Sequence, residues 1–161
     1  MWLSTGKRKV VLTPMPTESH TSRPVLEGAF TLPPEDSRLI ASRCSRCQTH
    51  TFPRSFACPD PTCRDGKMED TTLTRRGKLA SWTVVHYPPP PPHVPEEPFE
   101  PFGIAEVSFP EGIQIVGPMT KVDLSDLKLG MELETVVETY YVDHDGEAVL
   151  GWKFRSVEEE E

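Results

Sequence analysis

The sequence predicts a mainly β protein in which a small cysteine-held ribbon precedes a five-stranded closed barrel. All four cysteines of the 161-residue chain fall within residues 43–66, as two close pairs. From Lys78 onward, runs rich in β-branched and aromatic residues alternate with turn residues, giving about five strands and no long helical pattern. The chain has 18 prolines, against a usual share of about 5%, and these break helices and imply long irregular connections. Five short strands must hide their edges, which favours an OB-type barrel. A β-sandwich is the alternative, for which the strand number is low.

Taken in order, residues 1–34 read as an N-terminal extension, partly disordered. Residues 1–24 show no periodic pattern and hold Pro14, Pro16 and Pro24, and Met15 is an alternative start. The segment 34–41 carries acids early and Arg38 late, so it is either a short helix or extended chain leading into the ribbon. The ribbon is expected over 35–70, and residues 71–77 then form a connector that ends in a turn at Gly77. The barrel is expected over 71–157. Its first strand is 79–87, stopped by Pro88 to Pro92, which cannot donate to a ladder. A long loop follows as far as Pro101, polyproline-like at its start. The second strand is 102–109 and the third 112–116, with Pro110-Glu111-Gly112 as the turn. Residues 124–130 read as one helical turn closing at Gly130. The last two strands are 132–142 and 148–154, joined by a hairpin turn at His144-Asp145-Gly146. Glu158 to Glu161 form an acidic tail. Trp82 and Phe154 are expected in the core, and Phe99 and Phe102 in an exposed apolar patch beside the proline loop.

The cysteines carry the strongest chemical signal. Cys44-x2-Cys47 and Cys58-x4-Cys63 can each turn two thiolates to one side of a tight loop, and two such knuckles facing each other make a tetrahedral sulfur cage suited to zinc. Two disulfides are the alternative, and without a secretory signal reduced thiols are expected. Iron in place of zinc is a further alternative. Four cysteines close the coordination shell, so the metal is expected to fold the ribbon and not to do chemistry. His50 is close in sequence and could replace a cysteine, but with four thiolates at ribbon spacing it reads as a surface histidine.

No other motif recommends catalysis. His20, His50, His86, His93 and His144 form no metal-hydrolase motif, every Cys is better used as a ligand, and no phosphate-binding or dinucleotide glycine fingerprint occurs. No catalytic residue is therefore assigned. No stretch approaches the roughly 20 apolar residues of a membrane helix, and a cytoplasmic location is expected. The net charge of −8 is unevenly placed. Residues 1–80 hold 13 Lys+Arg against 8 Asp+Glu, a net of +5, and residues 81–161 hold 4 against 17, a net of −13. An acidic barrel half disfavours nucleic acid, whose binding needs cationic surface.

The linear order of these elements is familiar. A four-cysteine ribbon precedes Gly77-Lys78-Leu79-Ala80-Ser81-Trp82-Thr83-Val84-Val85, then Pro101-Phe102-Gly103-Ile104-Ala105-Glu106-Val107, then Leu129-Gly130-Met131-Glu132-Leu133-Glu134. Over about residues 35 to 157 this resembles the DUF35 family of acyl-CoA-associated proteins. The resemblance implies a short N-terminal helix, a rubredoxin-like zinc ribbon with structural Zn2+ and an OB-fold barrel. It also implies a non-catalytic subunit paired with a thiolase-fold enzyme, a thiolase or retro-aldolase, in a heterotetramer or larger assembly. The partner would hold the catalytic residues, and the CoA thioester would be shared between the chains. In that setting Arg54, Arg75, Arg76 and Lys78 are the candidates to meet the CoA phosphates. The C-x4-C spacing departs from the C-x2-C pair commoner in the family. The competing reading is a nucleic-acid-binding module, since zinc ribbons and OB folds both serve that role.

Overall fold

The structure, a computed structural model, describes residues 22–33, 35–91 and 97–157. Among them run nine strands: β1 (Ser22–Pro24), β2 (Ile40–Cys44), β3 (His50–Thr51), β4 (Met68–Thr72), β5 (Arg76–Val85), β6 (Phe102–Ser108), β7 (Gln114–Pro118), β8 (Glu132–Val142) and β9 (Ala148–Ser156). They form two sheets, a six-stranded one in the order β1-β9-β8-β5-β6-β7 and a three-stranded one in the order β3-β2-β4. The described residues hold no helix.

Strands β5 to β9 make the barrel. They pair antiparallel as successive neighbours, and the seam between β7 and β9 is bridged where Met119 pairs with Phe154 and the Thr120 N–H donates to the Phe154 carbonyl at 2.9 Å. The five-stranded barrel expected from the sequence is the one observed. β5 bends because of a bulge between Leu79 and Ser81, so that Arg76–Lys78 pair with β8 while the rest of the strand follows β6. The inward residues Leu79, Val107, Leu133, Val149 and Phe154 are all fully buried, which fills the interior with side chains.

Several local expectations need correction. Gly77 lies inside β5 and not in a turn. A Cβ there would stand 2.7 Å from the Ser108 carbonyl oxygen and 2.6 Å from Val107 Cγ1, so glycine is what lets β6 close on β5. Trp82 is 39% exposed and not core, because it sits on the part of β5 that has left β8. Residues 124–130 form turns and no helical turn. The Asp123 carboxylate accepts hydrogen bonds from the Ser125 N–H and hydroxyl, a local bond that competes with helix. Of the two readings of 34–41, residues 35–41 take the extended one, Leu39 bridging to Phe30 and Ile40 opening β2. A helix nearer the N-terminus falls outside the described residues. Phe99 and Phe102 are half-buried and pack edge to face, 6.3 Å apart.

Residues 22–33, placed by the sequence in the extension, contribute to the fold. β1 pairs parallel with β9, and Ala29 and Phe30 are buried. One hydrophobic cluster runs from Phe30, Leu39, Ala41 and Leu73 on the ribbon side to Leu79, Leu133 and Phe154 in the barrel. Ribbon and barrel therefore share a core.

The expected hairpin turn joins β8 to β9, with Gly146 at φ +80° and its N–H donating to the Asp143 carbonyl. Backbone N–H donation from Glu147 and Asp145, joined by the Arg23 guanidinium at 3.2 Å, holds the Asp143 carboxyl below its ordinary range. A depressed carboxyl stabilises the fold fully above the unfolded value of about 3.9, and loses that effect as pH falls through its lower folded value. The stability deficit of Asp143→Asn, followed by urea denaturation, should thus be full at pH 7 and shrink toward zero in strong acid. Phe154→Ala should cost about 3–5 kcal/mol at any pH by the same measurement.

Candidate metal centre

Each knuckle is built from local backbone bonds. Cys44 ends β2, its N–H donates to the Thr49 carbonyl, and its own carbonyl accepts from the Gln48 N–H at 3.0 Å. Gln48 takes a positive φ of 66°, which turns the chain back and brings Cys47 beside Cys44. In the second knuckle the Asp60 carboxylate accepts from the Thr62 N–H at 2.8 Å and the Thr62 hydroxyl at 2.7 Å, and the Cys63 N–H donates to the Asp60 carbonyl. This Asx turn absorbs the long C-x4-C gap with its two prolines.

The four Sγ atoms lie within 4.8 Å of one another, with Cys44–Cys63 at 3.7 Å and Cys47–Cys58 at 3.5 Å. A tetrahedral zinc with Zn–S bonds of about 2.3 Å requires sulfurs about 3.8 Å apart. The separations fit that cage and far exceed the roughly 2.05 Å of a disulfide, and all four cysteines are free. Gly66 closes the site: a Cβ there would stand 2.4 Å from Cys44 Sγ and 3.0 Å from Cys63 Sγ.

The thiols are electrostatically unequal. The Thr49 hydroxyl, 3.2 Å away, and then the Thr49 N–H bring Cys47 down to about 6. The N–H groups of Cys47 and Arg46 lower Cys44. At Cys58 the Asp60 N–H acts downward but is outweighed by burial and the neighbouring sulfurs, so the thiol moves up. Burial first, then the other three sulfurs, push Cys63 up to about 12. Crowded thiols thus resist full ionisation, and a divalent cation among them removes that resistance. His50, on β3, is not part of the four-sulfur group.

Three of the four basic candidates are held in ion pairs. Arg54 lies on the ribbon and pairs with Asp70 at 2.6 Å, its guanidinium passing over Gly28. Arg75 is held by Asp36 at 3.1 Å and Glu134 at 3.4 Å. Arg76 meets Glu132 at 3.5 Å. Lys78 is exposed, has no carboxylate partner among the described residues, and shares a face of β5 with Arg76.

Features that sequence reasoning missed include Thr49 and Gly66, and a shallow apolar slot of about 240 Å³ lined by Val25, Ile104, Val116, Gly117, Pro118, Tyr140, Gly151 and Trp152. Asp-x-Thr just ahead of Cys63 was a readable Asx-turn signal. The slot had no such signal, because it forms where β7 and β9 meet. No helix among the described residues is long and apolar enough to cross a membrane.

Comparison with known proteins matches this architecture. Residues 33–69 match the family described as ChsH2, rubredoxin-like zinc ribbon domain, and residues 70–138 match that described as ChsH2, C-terminal OB-fold domain. A DUF35 domain-containing scaffold protein of Pyrococcus furiosus is 32% identical over 124 residues, covering 76% of this chain and 86% of that protein. Its counterpart in Methanocaldococcus jannaschii is 33% identical over 125 residues, covering 74% and 82%. A solved structure titled Ltp2-ChsH2(DUF35) aldolase superposes with a TM-score of 0.53 at 25% identity, covering 74% of this chain and 84% of that one.

A cage of this geometry should take up one zinc per chain, and cobalt in its place should give the visible thiolate-to-metal bands of a tetrahedral S4 site. Cys63→Ala should abolish stoichiometric uptake, read by elemental analysis of reduced protein. In metal-free protein at pH 7, Cys47 should be alkylated by iodoacetamide before Cys63, read by peptide mass spectrometry.

Proposed function

This chain belongs to the DUF35 family, and from that membership we propose that it is the non-catalytic, zinc-holding scaffold subunit of an acyl-CoA enzyme with a thiolase-fold partner. The observation that carries this reading is the closed cage. Four cysteines saturate a tetrahedral ion and leave no position for substrate or water, so the metal's role is to hold the ribbon's shape. Cys44, Cys47, Cys58 and Cys63 are the ligands in this reading. Residues 35–70 are the metal-holding unit and residues 71–157 the barrel.

The relatives named as scaffold proteins and the aldolase assembly that contains a DUF35 chain support a partner that does the chemistry. Carbon–carbon bond formation or cleavage in a CoA thioester fits that partner. A benzoylsuccinyl-CoA thiolase is the specific instance toward which the sequence resemblance leans, in a heterotetramer or larger assembly. Of the basic candidates, Lys78 on the exposed face of β5 is the readiest to meet CoA phosphates, since Arg54, Arg75 and Arg76 are drawn into ion pairs at 2.6 Å, 3.1 Å and 3.5 Å.

Co-expression with a thiolase-fold candidate partner tests the reading. The two chains should elute as one hetero-oligomer, and turnover of the CoA thioester should require both. A partner fully stable and active alone would overturn it. Within an active complex, Lys78→Glu should raise KM for the CoA thioester about tenfold, equivalent to about 1.4 kcal/mol, with kcat little changed.

A further inference from the structure

Trp152 touches three parts of the molecule at once. Phe52 of the ribbon meets its ring edge-on, centroids 5.2 Å apart at 88°. Phe30, from the segment ahead of β2, lies against it at 6.1 Å and 58°. Its indole N–H donates to the Val116 carbonyl of β7 at 3.1 Å. The same ring forms one wall of the apolar slot, with Val116 and Tyr140 as others.

The bond to Val116 falls on the seam between β7 and β9. β7 is an edge of the six-stranded sheet, and the backbone closes its seam with β9 at Met119 and Thr120. The Met119 N–H donates to the Gly103 carbonyl and the Phe109 N–H to the Ile113 carbonyl. In an antiparallel ladder of that phase the polar groups of Ile115 and Gly117 face β6, and those of Val116 face the seam. The indole therefore carries the closure beyond the point where backbone pairing stops. Glycine at 117 makes room for it, since a Cβ there would stand 2.8 Å from Trp152 Nε1.

Phe52 follows β3 and precedes Cys58, so the loop that carries it is fixed at one end by the ribbon sheet and at the other by the sulfur cage. In between, the Ser55 N–H donates to the hydroxyl of buried Ser42 at 3.1 Å. Opening the cage releases one end of that loop.

We propose that Trp152 is the joint through which the metal state of the ribbon sets the closure of the β7–β9 seam and the shape of the apolar slot. A filled cage keeps Phe52 on the indole, and the indole on Val116. An empty cage lets Phe52 withdraw and the seam loosen at Val116, while the strand pairs of β5 with β6 stay in place. This rests on the reading that the four cysteines hold a metal.

The test is nitrogen-15 indole spectroscopy of the full chain, whose three tryptophans are Trp2, Trp82 and Trp152. Loss of one signal in Trp152→Phe identifies the reporter. On chelation, with metal content read separately by elemental analysis, the Trp152 indole signal should shift toward that of a free indole while the Trp82 signal stays. Phe52→Leu should retain the metal yet give a Trp152 signal that no longer responds to chelation. An unmoved Trp152 signal in metal-stripped protein overturns the proposal. So does a Phe52→Leu variant that responds like the parent, or a Trp82 signal that moves in step, which reports general unfolding. A parent chain that binds no metal defeats the reading of the cage instead. Phe52→Leu alone then decides the joint, which fails if the Trp152 signal is the same in both proteins.

Discussion

Four sulfurs within 4.8 Å of one another cannot all ionise unless a cation sits among them. The ribbon is organised around that conflict. Its own sheet is slight, with a two-residue β3 and no helix among the described residues to stiffen it. A unit of that size cannot bury enough apolar surface to hold a shape alone. Gln48 and Asp65, at φ 66° and 62°, and Gly66, tucked under two sulfurs, all accept unusual backbone positions to bring the knuckles together. Those positions bring the four thiols to the separations a tetrahedral zinc would need.

The ribbon's second support is the barrel. Leu39, Ala41 and Leu73 on its side are fully buried in the same cluster as Leu79, Leu133 and Phe154. The junction is also tied by polar contacts. Arg75, at the entry to the barrel, reaches Asp36 at the start of the ribbon and buried Glu134 on β8, and Arg155 at 2.5 Å also meets that carboxylate. Glu111, in the turn between β6 and β7, accepts from the N–H and hydroxyl of Thr74. Two units joined in this way move together, which is a scaffold's first physical requirement.

What the sequence disclosed follows from the range of each signal. β8 over 132–142 and the start of β9 were legible because alternation and the Asp-Gly turn are local. The cysteine cage was legible because spacing alone brings the thiols close. Gly77 was misread because its reason lies 30 residues away, in the Val107 and Ser108 backbone that a Cβ would strike. Trp82 was misread because the bulge that carries β5 away from β8 has no sequence mark. The extended chain at 35–41 went undecided because its partners, Phe30 and the β4 strand, lie on both sides of it and well apart. The role of Trp152 was hidden for the same cause, since its neighbours come from residues 30, 52 and 116.

A barrel filled by Phe154, Leu133, Val107 and Leu79 has no interior left for a substrate. A sulfur-saturated ion has no coordination site left for one. Among the described residues, the features open to another molecule therefore lie on the outer surface. The outer surface is not uniform. It offers Lys78 beside the Arg76–Glu132 ion pair on one strand of the barrel, and an apolar slot at the β7–β9 seam. What a partner could meet on that surface depends on how the ribbon and the barrel hold these features relative to one another.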